Sequence, residues 1–200
     1  VAHFGGTPLG VFSTSAQGPR WYLFVSFLVV LLASLRPSVA FGMTRRSFGR
    51  QSLRAGLAAA LVHGLVAALV QLVESLLFRA QGWAHTSVYG LRPVPEGPWP
   101  LVALDHAVVL AVFAVSGVAV AAVYLRWGGW LGTLILPPVA VPVFVVPGLL
   151  DHIEPVELGN ALDQLAYPAG LALSIASVVA LAVLADLALR GTRIGRSPID

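Results

Sequence analysis

The sequence predicts an all-α fold, a polytopic transmembrane helix bundle, and three observations carry that expectation. Apolar residues fill 58 per cent of the 200 positions and charged residues only 10 per cent, whereas a soluble domain carries about 25 per cent charge. The apolar positions gather into five runs, each near the roughly 20 helical residues that cross a hydrocarbon core of about 30 Å. The arginines between the runs fall unequally on the two sides of such a bundle, as they do where basic loops are retained in the cytoplasm.

The first run, 21–41, is the weakest, because Arg36 and Pro37 interrupt it and the uninterrupted part from Trp21 to Leu35 is short for a span. Arg36 can snorkel to the interface. The segment 42–54 follows, the most charged passage of the chain. On a helix, Arg46, Arg50 and Arg54 fall at four-residue steps on one face, with Phe41 and Phe48 together on roughly the opposite one. This predicts an amphipathic helix lying in the interface, its arginines toward water and anionic headgroups and its phenylalanines in the acyl boundary. The chain would then turn into the bilayer at Ala55.

The second run, 55–78, places His63, Gln71 and Glu74 within an arc of about 80°, a polar stripe that should face the bundle interior. It serves either a permeation path or proton relay, or interhelical hydrogen bonding. Gly64-xxx-Ala68 and, later, Gly170-xxx-Ser174 are small-residue patterns that permit close helix approach. The connection 79–100 is an outer loop stiffened by Pro93, Pro95, Pro98 and Pro100.

The third run, 101–125, opens with Asp105 and His106, which either pair with the stripe of the second or cap the helix end; Ser116 lies on nearly the same face as Asp105. Arg126-Trp-Gly-Gly129 is a tight inner turn, so the third and fourth spans are expected as antiparallel neighbours. The fourth run, 130–150, holds Pro137, Pro138, Pro142 and Pro147, which predicts kinks or a break within the membrane. The fifth is 167–189, with Asp186 and Arg190 spaced as a helix ion pair in its last inner turn.

Alternating five spans puts nine arginines, at 36, 45, 46, 50, 54, 126, 190, 193 and 196, on one side and Arg20, Arg79 and Arg92 on the other. The first side is the cytoplasmic one, which leaves the C-terminus inside and the N-terminus outside. That arrangement, in a chain whose start lacks the basic and apolar regions of a signal peptide, predicts a sixth span ahead of Val1.

Composition excludes several functions. All twelve basic residues are arginine and the net charge is +3, but no basic block with interleaved aromatics lies outside the membrane-flanking segments, so no nucleic-acid partner is indicated. The chain has no cysteine, hence no disulfide, thiolate metal site or cysteine nucleophile. GxSxG, HExxH and Walker A patterns are absent, and without a lysine no Walker lysine exists. Asp151-His-Ile-Glu154, with Glu157 and Asp163, has the residue types of a hard-metal cluster but the spacing of no ligand motif. No metal, cofactor or catalytic residue is therefore expected.

Phe41-Gly-Met-Thr-Arg-Arg-Ser-Phe48, between one apolar run and a long Ala/Leu/Val-rich one, resembles the G-[VM]-T-R-R-x-F segment of permease subunits of type-2 ATP-binding-cassette exporters, small six-span proteins of bacterial plasma membranes. The resemblance extends loosely over the whole chain. It implies a cytoplasmic contact with a separate ATPase subunit, carried by Gly42, Met43, Thr44, Arg45, Arg46, Phe48 and, on the same helix, Arg50. It also implies pairing with a second copy or a related permease, and no chemistry in this chain. Two other readings stay open: a structural or regulatory membrane protein in which Arg45 and Arg46 are anchors, and a proton-coupled carrier using Glu74 and His63.

Overall fold

The computed structural model describes residues 2–4, 7–9, 17–82, 99–151 and 167–190. Two three-residue strands, β1 (Ala2–Phe4) and β2 (Thr7–Leu9), pair antiparallel with Ala2 opposite Leu9 and Phe4 opposite Thr7. They qualify the all-α expectation by one small antiparallel pair. Four helical elements follow: α1 (Gln17–Ala40), α2 (Arg45–Ala80), α3 (Trp99–Asp151) and α4 (Tyr167–Arg190).

These four are long and apolar enough to cross a membrane, in place of the five separate runs expected. The third and fourth runs form one element because helical geometry is lost at a single residue between them, Gly128, with φ 74° and ψ −174°. There the chain folds back on itself. Val109 and Val112 share a core cluster with Val146 and Leu150, residues that a straight helix would hold more than about 50 Å apart. Next to the bend, the Tyr124 hydroxyl lies 3.1 Å from Thr133 Oγ1, and Thr133 Oγ1 also donates to Gly129 O at 2.7 Å. The turn expected at Arg126–Gly129 is thus present, at a glycine, where a positive φ costs no Cβ clash, while the break expected at the prolines does not form. Pro137, Pro138, Pro142 and Pro147 lie inside the second arm, which remains helical.

The first arm of α3 is the centre of the bundle: every residue from Asp105 to Val123 is buried. Around it, α1, α2 and α4 turn leucines and valines outward, among them Val25, Val29, Leu61, Leu65, Leu69, Val73, Leu173 and Val183. So much contiguous apolar surface does not suit water, and it is the surface a bilayer solvates.

α2 runs unbroken for 36 residues, about 54 Å at 1.5 Å per residue. The expected interfacial helix with a turn at Ala55 is therefore corrected: no proline or left-handed residue interrupts the chain there, and residues 45–54 extend the span as one rod. Its buried face is a ladder of mostly small residues, Gly49, Ser52, Gly56, Ala60, Gly64, Ala68, Gln71 and Ser75. Gly64 lies so close to α3 that a Cβ would sit 2.7 Å from Ala107 N and Cα, while one at Gly56 would meet the Ala114 Cβ at 3.5 Å. Between helices solvated by lipid there is little hydrophobic drive, so such close backbone approach carries the association.

The sequence places Arg36-Pro37 as an interruption of α1, but the helix continues to Ala40. It closes with Gly42 in the left-handed region at φ 90°. Met43 N donates to Ser38 O and Gly42 N to Val39 O, both at 3.0 Å, a left-handed C-terminal cap. Thr44 then begins α2 as its N-cap, its hydroxyl accepting from Ser47 N at 3.1 Å.

Gly64→Ala is expected to lower the stability of the purified chain in detergent by about 1–3 kcal/mol, the usual cost of overpacking. Gly148→Ala, with nothing within 4 Å of its added methyl, should cost nothing. Equal thermal midpoints for the two variants would remove the Gly64–Ala107 contact from this account.

Candidate functional site

Of the polar stripe expected on α2, Gln71 meets His106 of α3, and a third helix adds one further residue beside them. His106 Nε2 donates to Gln71 Oε1 at 2.9 Å, a bond buried between the two helices; since the amide oxygen only accepts, His106 carries its proton on Nε2. Asp105, beside it, is buried as well, and Glu74 is half-buried one turn beyond Gln71. His63, two turns before Gln71, donates from Nδ1 to Ala59 O of its own helix at 2.8 Å. A neutral His63 ring therefore keeps Nε2 as an acceptor. Ser116, also buried, has no hydrogen-bond partner for its hydroxyl among the described residues and does not line the cavity described next.

His63 and His106 line one cavity of about 100 Å³, together with Arg20 of α1 and an apolar wall of Val66, Val70, Val109 and Leu110. Arg20 is the residue that sequence reasoning misplaced. It stands at the edge of an apolar run, the usual place of an interfacial anchor, yet it is 4 per cent exposed. α1 starts at Gln17, a turn earlier than expected, and this carries Arg20 into the bundle, four residues into the helix. Arg79 and Arg92 fall on the same side, and no residue type marks the start of α1, so the sequence carries no signal for this burial. By helix rise, Glu74 and Asp105 lie about 9 Å from their helix ends and His63 about 25 Å from its own, so the cluster descends from the 80/99 end toward mid-membrane. It offers guanidinium donors and an imidazole acceptor inside apolar walls. That is chemistry for holding a polar group or passing a proton, with no nucleophile set up against a base.

At the opposite end, the arginines of α2 are engaged within the chain. Arg46 Nε and Arg50 Nε lie 3.7 and 3.9 Å from Asp186 Oδ1. Arg190 holds the other oxygen, with Nε donating at 2.8 Å and Nη2 in a shorter contact. The Asp186–Arg190 pair expected from spacing is present, and the two α2 arginines join it. Arg126 donates to Leu187 O at 3.0 Å, meeting carbonyls at the C-terminal end of α4 where a cation is favoured, and stacks over Trp127 at 4.8 Å. Phe48 packs against the core cluster at this end. Phe41 precedes α2 and is 89 per cent exposed, so it shares no helical face with Phe48. In Gly42–Arg50, then, Gly42 and Thr44 are helix caps, Arg46 and Arg50 are ion-paired to α4, and Phe48 is packed. Arg45 is half-buried, Arg46 and Arg50 keep about half of their side-chain surface exposed, and the flanking Phe41 and Arg54, with Met43, are exposed too.

Among the described residues no group of three His, Asp or Glu side chains is placed to hold a metal; Asp151-His-Ile-Glu154, Glu157 and Asp163 lie outside the residues whose side chains are described, as do Pro93, Pro95, Pro98, Arg92, Arg193 and Arg196, whereas Pro100 is exposed in the first turn of α3. Compared with family models, characterised proteins and solved structures, the chain matches none.

A double-mutant cycle on Gln71→Leu and His106→Leu, read by thermal unfolding in detergent, should give a coupling of about 0.6–1.7 kcal/mol, the range of buried interhelical hydrogen bonds in membranes. Additive single effects would mean that the two side chains do not interact in the folded chain.

Proposed function

We propose that the chain is the membrane-spanning permease subunit of an ATP-driven exporter in a bacterial plasma membrane, acting with a separate ATPase subunit and a second permease copy or a related one. The observation that carries this reading is α2, a single rod joining the exposed Phe41–Met43 tip to the cavity around His63 and His106. A push at the start of α2 tilts the helix as one rod about its close contact at Gly64, beside the polar groups that a cargo would meet. ATP hydrolysis belongs to the partner. The apolar cavity walls favour a cargo with a small polar head and an apolar body.

In this reading the two arms of α3 cross separately, giving five passes with the C-terminus inside. The cysteine-free sequence makes the test direct. Ala40→Cys and Gly129→Cys should react with a membrane-impermeant maleimide from the cytoplasmic side only, and Gln81→Cys from the outside only. Labelling of Gly129→Cys from the side of Gln81→Cys would replace five passes by another topology.

A second reading, a structural or regulatory subunit that transports nothing, has its own support in the Arg46 and Arg50 pairs to Asp186, which give the basic motif a structural use. Co-purification separates the two. The full chain drawn from its host in detergent should bring an ATP-binding-cassette ATPase, and Phe41→Glu with Met43→Glu should lose it while remaining inserted. Recovery without any ATPase, or unchanged recovery with the double variant, would favour the structural reading.

A further inference from the structure

Besides the cavity at His63, the surface of α2 carries two adjoining depressions on one helical face. The first is a basic groove of about 250 Å³ along the start of the helix, lined by Arg46, Ser47, Arg50 and Arg54. The second is a wholly apolar slot of about 270 Å³ between α2, α3 and α4, lined among others by Leu57, Leu61, Ala107, Ala111, Ile175 and Val179. At 100° per residue, positions 46, 50, 54, 57 and 61 fall within an arc of about 80°, so groove and slot lie in line. From Arg54 to Leu61 the rise is about 10 Å, the depth from a headgroup to the upper part of an acyl chain.

Charge fixes what suits the groove. Arg46, Arg50 and Arg190 converge on one carboxylate, Asp186, and Arg54 has no ion pair among the described residues. Arg46 and Arg50 share a single oxygen at 3.7 and 3.9 Å, which leaves most of their five N–H donors each for another acceptor. Three guanidinium groups on one face favour a phosphate, which arginine binds in a fork. The apolar slot directly along the face then favours a phosphate that bears an acyl chain.

We infer that Arg46, Arg50 and Arg54, with the slot between α2, α3 and α4, form a seat for an anionic phospholipid of the leaflet on the arginine-rich side. The inference is independent of the exporter reading, since it needs only this chain and a bilayer. A lipid so placed bridges α2 and α4 where their own ion pairs are longest, and it leaves the Phe41–Met43 tip uncovered.

The test is native mass spectrometry of the purified full chain titrated with dioleoylphosphatidylglycerol or dioleoylphosphatidylcholine. The anionic lipid should be retained at least about fivefold better, a basic residue near a headgroup being worth roughly that factor. Arg54→Gln should remove most of the preference. Val179→Trp, placed at an exposed rim of the slot, should reduce retention of the anionic lipid while leaving the arginines in place. Both positions are exposed, and an unchanged helical circular dichroism spectrum verifies folding. Equal retention of the two lipids overturns the inference. So does undiminished phosphatidylglycerol binding by both variants, or a cross-linked dimer that buries position 179 in place of lipid.

Discussion

The near-contact of two backbones, Gly64 on α2 and Ala107 on α3, is the constraint from which the bundle follows. Lipid tails are as apolar as leucine, so helices in a membrane gain little by hiding leucine from them. What they gain comes from packing density, and density requires that nothing larger than glycine stand between the helix axes. The leucines and valines of α2 are accordingly turned outward and the small residues inward, the reverse of a soluble helix. Once α2 lies this close, Gln71 is brought within hydrogen-bonding distance of His106, and the polar cavity exists because the small-residue ladder exists.

Much of this was legible. Run length identified a membrane bundle, and helical spacing put Gln71 on the face that meets His106. Three features were not legible, each for a physical reason. Of the ladder from Gly49 to Ser75 only Gly64-xxx-Ala68 stood out, because in a chain with so many alanines and glycines any spacing of small residues is common. The burial of Arg20 depends on where α1 begins, and no residue type marks that start. The four prolines at 137, 138, 142 and 147 pointed to a break that does not form, since proline's φ is already that of a helix; the turn read at Arg126–Gly129 is present at Gly128, which adopts a φ that other residues avoid.

The Gly-Met-Thr-Arg-Arg segment carries two meanings on the same residues. Gly42 closes α1 through a left-handed cap and Thr44 opens α2 through its hydroxyl, so any chain that must stop one helix and start the next across two residues will favour glycine and threonine at these places. Arg46 and Arg50 reach α4. The local structure thus accounts for much of the motif without a partner. What it leaves unexplained are the large apolar side chains on either side of Gly42, Phe41 and Met43, exposed at the tip, and these are the positions on which a partner subunit would rest.

The two ends of α2 are held by forces of different kinds. Toward the cavity it is fixed by Gly64 against Ala107 and by the buried bond from His106 to Gln71, contacts that lipid and salt do not weaken. At the arginine end, Arg46 and Arg50 add long pairs to Asp186, with both arginine side chains half exposed, to the packing of Gly49 against Leu189 and of Phe48 on the core cluster; such pairs are worth about 1 kcal/mol or less and are screened. Under the exporter reading, a push at the start of α2 would work against these screened pairs and that packing together, and a rigid helix pivoting near Gly64 would turn a small displacement there into a tilt of the whole rod. The residues that move least in such a tilt are those lining the polar cavity, and the gap that opens first is the slot between α2 and α4. Whatever fills that slot governs how far α2 can swing.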